Sequence, residues 1–141
     1  MEDSTLIRLL QLAGISHGGL LCAGLMMPGA VQLRAHLTNL PPFIRQLFWV
    51  YYTFIGFCLI SFGTLTLVLA PALAAGTLLA RVVCCFLAGF WTLRLIAATF
   101  VFDLKPYLTS TRRRLGYCAA NTVFVGLPVI YLLAAWKGGK P

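Results

Sequence analysis

Carboxylates are what this chain has least of. Aspartate and glutamate number 3 against 11 lysines and arginines, and two of the three, Glu2 and Asp3, stand at the very start. General acid and base work by paired carboxylates is therefore excluded within one protomer. Histidine is almost as scarce: only His17 and His36 occur. Along one helix and its end they lie about 28 Å apart, too far to clasp one metal ion in a single chain. Cys22, Cys58, Cys84, Cys85 and Cys118 contain no CxxC pair; scattered through apolar runs, they read as small apolar side chains. No glycine-rich phosphate loop and no HExxH is present. Ser16 and His17 are adjacent, so on a helix they point about 100° apart, and no third orienting group is evident. The sequence thus offers no catalytic residue and no metal site, and leans against an enzyme.

Apolar side chains are what remain. The chain is 60% hydrophobic and 10% charged over 141 residues, with a mean hydropathy of +0.91. A domain of this size leaves too much surface exposed to hide that composition in a soluble core, so the surplus must face lipid. Stretches at about 6–33, 43–70, 77–102 and 115–136 are long enough to cross a bilayer, which takes about 20 helical residues. Between them lie LRAHLTNLPPFIR, LAPALAAG and DLKPYLTSTRRR, each with proline and each read as a turn. Backbone amides in hydrocarbon need internal partners, and these runs lack the alternation of barrel strands. The expected fold is all-α: an integral membrane four-helix bundle, antiparallel and up-down, forming one domain over 1–141. No positively charged leader or small-residue cleavage site accompanies the first run, so that span is expected to be retained.

The cations set an orientation. Arg34, Arg45, Lys105, Arg112, Arg113 and Arg114 fall at one end of the spans, and Arg8, Arg81, Lys137 and Lys140 at the other. The positive-inside rule then makes loops 34–45 and 103–114 cytoplasmic and leaves both termini outside. Arg112, Arg113 and Arg114 read as contacts to anionic lipid headgroups. Nucleic acid is not expected, because the cations are spread over span ends and form no basic domain. FWVYY at 48–52, Tyr107, Tyr117 and Trp136 stand where amphipathic rings anchor at the interface, while Phe54, Phe57 and Phe62 read as packing residues.

Two polar residues interrupt the spans. In GISHGGLLCAG, His17 shares a helix face with Ala13, Gly14, Leu21 and Gly24. Gly14 and Gly18, and Gly19 and Ala23, have the small-xxx-small spacing that lets helices touch in lipid. His17 is then either a hydrogen-bonding member of that seam or, with a second subunit, a contact to haem, metal or quinone; the chain alone implies no cofactor. In FWTLRLIAATFVFD, Arg94 lies about 13 Å from the end of its span, farther than an arginine comfortably snorkels. Asp103 is half a turn out of phase and is expected to pair with Lys105 or residues 112–114. Trp91 and Phe90 can cover the guanidinium, and Asn121 on the fourth span lies at similar depth. Arg94, Trp91 and Asn121 are thus the expected polar layer, either structural or facing an anionic ligand or partner carboxylate.

FWVYYTFIGF, LLARVVC, FWTLRL, FVFD and RRRLGY together resemble an uncharacterised family of small bacterial four-span membrane proteins, over most of the chain. That resemblance implies a bacterial inner membrane and no particular activity. RAHLTN at 34–39 resembles the RAHxN stretch of the membrane-associated eicosanoid and glutathione metabolism family, which implies homotrimers binding glutathione and lipid substrates. Asn39 is one position late for that motif, no glutamate follows, and Pro41 and Pro42 break its helix. Three functions follow as expectations. The leading one is a non-enzymatic scaffold or accessory subunit, a homo-oligomer or part of a larger complex, packing against partner helices or anionic lipid. The others are a lipid-active or thiol-transferring enzyme with a site between protomers near Arg34, His36, Asn39 and Arg94, and a small oligomeric channel or anion transporter whose path Arg94 lines.

Overall fold

The computed structural model describes residues 3–101 and 110–137, and within them every regular element is helical. Four helices are long and apolar enough to cross a membrane: α1 (Asp3–Ala30), α3 (Pro42–Val68), α5 (Leu78–Phe100) and α6 (Thr111–Lys137). Two short helices, α2 (Leu33–Thr38) and α4 (Ala70–Ala74), join them. The chain is an all-α bundle with the composition of a multi-pass membrane protein.

The bundle runs up-down-up-down, and the cross-helix contacts show it. On α1 and α3, Gly24 meets Tyr52 while Gly14 meets Gly63 and Leu67, so partners ascend on one helix as they descend on the other. On α5 and α6, Arg81 reaches Ala135 and Arg94 reaches Phe124. On α1 and α6, Asp3 pairs with Lys137 and Ala30 meets Arg113. The closest long pairs are α1 with α3 and α5 with α6, while Phe62 of α3 meets Phe86 and Phe90 of α5. Of the four long helices, α3 is the least buried.

Two breaks differ from the expected turns. The first span stops at Ala30 instead of running to position 33, because Gln32 takes a left-handed conformation (φ 50°) and restarts the chain as α2. LAPALAAG contains α4, which Pro71 opens from its first turn and Gly76, at φ 70°, follows. Ala70, Leu73 and Ala74 are buried, chiefly against α1. This segment therefore caps one end of the core, which also holds Leu6, Leu10, Leu87 and Leu127.

Two helix ends, those of α1 and α6, are closed by side chains from other helices. A helix leaves its last four carbonyls without intrahelical donors. Arg113 Nη2 donates to Ala30 O at 3.2 Å, at the end of α1. Arg81 Nε donates to Ala135 O, also at 3.2 Å, near the end of α6. Within α1, Pro28 has no N–H to give the carbonyl four residues back, and the Tyr52 hydroxyl of α3 donates to that Gly24 oxygen.

Candidate functional site

Five span hydroxyls are used locally. Ser16, Thr53, Thr92, Thr99 and Thr122 each donate to the carbonyl four residues earlier. Thr66 does otherwise: its Oγ1 lies 2.7 Å from the Tyr131 hydroxyl, joining α3 to α6 through the core. Beside that pair is His17, 1% exposed, whose Nδ1 donates to Ala13 O at 2.7 Å. Its ring stands edge-on to Trp91 at 5.0 Å between centroids and lies 6.5 Å from the ring of Tyr131. His17, Thr66, Trp91 and Tyr131 come from the four long helices, one each, and all are fully buried. The polar puzzle of the first span, His17, thus meets Trp91 of the third, while Arg94 is not part of this cluster.

The reason His17 can enter the core is glycine on the facing helix. A Cβ built on Gly63 would stand 2.9 Å from His17 Cβ and 3.2 Å from Gly14 O. A Cβ on Gly14 would meet Leu67 at 2.9 Å and Gly63 O at 3.1 Å. The two backbones approach as small-residue helix pairs do in lipid, where close packing replaces the hydrophobic effect as the driving force. Gly14 belongs to this seam. Gly18 and Gly19 have nothing within 4 Å of a built Cβ, and Ala23 is exposed, so within the protomer the small size of these three is unused. Beside the seam an open groove of about 310 Å³ runs between α1 and α3, lined by Gly14, His17, Gly18, Leu59, Gly63 and neighbouring side chains.

Arg94 is half-buried, and its guanidinium carbon lies 5.0 Å from the Phe124 ring centroid. Trp91 stacks on the same Phe124 ring, 5.9 Å away at 27°. Two members of the expected layer, Arg94 and Trp91, thus meet on the Phe124 ring, and the third, the partly buried Asn121, lies one turn before Phe124 on the same helix. Asp103, Lys105 and Tyr107 lie outside the described residues, as do Glu2 and Lys140. Arg112 is exposed at the start of α6, Arg113 is engaged with Ala30 O, and the Arg114 amide donates to Ser110 O at 3.0 Å. Arg34, His36 and Asn39 are all exposed on or just after α2. The five cysteines are free, with Cys84 buried. Among the described residues, no three His, Cys, Asp or Glu side chains converge as a metal site would require.

No family model, curated protein or solved structure matches this chain. The site must be read from its own residues. Sequence reasoning missed Thr66, Tyr131 and Phe124, all of types common in any apolar span. The one available signal was Gly63, whose bare backbone marks where a neighbouring helix comes close.

Proposed function

We propose that this chain is a non-enzymatic membrane scaffold or accessory subunit, held in place by anionic lipid at one end of its helical bundle. The distribution of charge supports this reading. Arg34, Arg45, Arg112, Arg113 and Arg114 gather where α1 ends and α6 begins. The one described carboxylate, Asp3, is paired with Lys137 at the opposite end. Cations at a membrane surface contribute about 1 kcal/mol each toward anionic headgroups, screened by salt. In this reading the arginine-rich end is cytoplasmic and both termini are outside, in a bacterial inner membrane.

Lipid selectivity in reconstituted bilayers tests the proposal. Spin-labelled phosphatidylglycerol should associate more strongly than spin-labelled phosphatidylcholine at low salt. The preference should shrink at high salt and in an Arg34→Gln, Arg112→Gln, Arg114→Gln variant. Equal association of both lipids at low salt would overturn the reading. A second reading, self-association, draws on the unused small-residue face of α1: Gly19→Leu should then reduce the size of the detergent-extracted particle. Glutathione binding or ion flux in liposomes would instead favour an enzyme or a transporter.

A further inference from the structure

The buried cluster holds two polar atoms with complementary needs. With Nδ1–H given to Ala13 O, the neutral His17 ring carries its lone pair on Nε2, which is buried and has no hydrogen-bond partner. Trp91 Nε1–H is likewise buried without an acceptor. One atom can only accept and the other only donate, their rings stand 5.0 Å apart, and the two do not satisfy each other. In hydrocarbon an unsatisfied polar group is costly, so such a pair is a standing demand for a third group. A single hydroxyl, donating to Nε2 and accepting from Nε1–H, would meet both.

The groove between α1 and α3 borders this pair at His17 and does not reach Trp91, so the hydroxyl enters past the His17 ring. His17 belongs both to the cluster and to the lining of the apolar groove between α1 and α3. Gly18 leaves the groove's α1 side bare, and Leu21 and Leu59 continue it with hydrocarbon. A ligand suited to this arrangement has a hydroxyl head and an apolar tail. The geometry points to a site for a lipid-soluble alcohol or phenol, its hydroxyl held between His17 Nε2 and Trp91 Nε1 and its tail lying in the α1–α3 groove.

The test uses the full chain with Trp49→Phe and Trp136→Phe, which leaves Trp91 as the only indole. It is reconstituted and titrated with a long-chain alcohol brominated beside the hydroxyl carbon, and separately with the bromoalkane of equal length. The alcohol should quench Trp91 saturably and the bromoalkane should not. His17→Phe should weaken the apparent affinity about threefold, and at most about twentyfold, the effect of losing one hydrogen bond in the bilayer. Gly18→Leu fills the groove where a side chain meets nothing in the fold, so it should also weaken binding with helicity intact. Equal quenching by alcohol and alkane would overturn the site, as would unchanged alcohol affinity in a folded Gly18→Leu or His17→Phe protein.

Discussion

Gly63→Ala against Gly18→Ala isolates the close approach of α1 and α3. A methyl at Gly63 would stand 2.9 Å from His17 Cβ and 3.2 Å from Gly14 O. Carbon atoms settle at about 3.5 to 4.0 Å, so the new contact is short by roughly half an ångström or more. Neither neighbour is the end of a flexible side chain; relief requires moving a helix or dislodging His17 from its contact with Trp91. Overpacking of this kind costs about 1 to 3 kcal/mol. Replacing a helical glycine by alanine gains up to about 1 kcal/mol, and this gain is shared by both variants. At Gly18 no atom lies within 4 Å, so that variant carries the gain alone. Their difference should be about 1 to 3 kcal/mol, or roughly 5- to 150-fold in the unfolding equilibrium. Reversible unfolding by dodecyl sulfate in mixed micelles, followed by circular dichroism, measures it. Agreement of the two variants within about 0.5 kcal/mol would refute the seam.

Other contacts make separate demands. Thr66→Val and Tyr131→Phe, singly and together, should give a coupling energy near 0.6 kcal/mol, at most about 1.7, as for interhelical hydrogen bonds in membranes; zero coupling would deny the bond. Arg113→Ala should speed hydrogen exchange in the last turn of α1 by up to about tenfold through loss of the Ala30 contact, whereas Arg112→Ala should leave that turn unchanged. Arg94→Met and Phe124→Leu should couple by about 0.5 to 2 kcal/mol in the same unfolding assay, the range for a cation over an aromatic face; additive effects would remove Phe124 as the partner ring.

The legible part of this protein was the part that lipid dictates. Apolar runs of spanning length, separated by proline-bearing breaks, have few solutions other than antiparallel helices, and the long elements lie close to those runs. The short helices were hidden because LRAHLT and APALA are too brief for periodicity to speak. Arg81 and Arg113 were visible as charges near span ends, yet nothing in a single sequence tells an arginine resting on headgroups from one closing another helix's carbonyls. His17 was legible as a polar atom needing a partner in the first span. Its neighbours were not, because threonine, tyrosine and phenylalanine look ordinary in any apolar helix. Depth and facing direction, set by the close approach at Gly14 and Gly63, select Thr66, Trp91 and Tyr131 from many equivalent residues.

Native mass spectrometry of the gently extracted protein, from a membrane containing both phosphatidylglycerol and phosphatidylethanolamine, tests the proposed lipid-held scaffold most directly. The account predicts retained anionic phospholipid, with retention lost in the Arg34→Gln, Arg112→Gln, Arg114→Gln variant. Anionic and zwitterionic lipids retained in proportion to their supply, and unchanged by those substitutions, would contradict it.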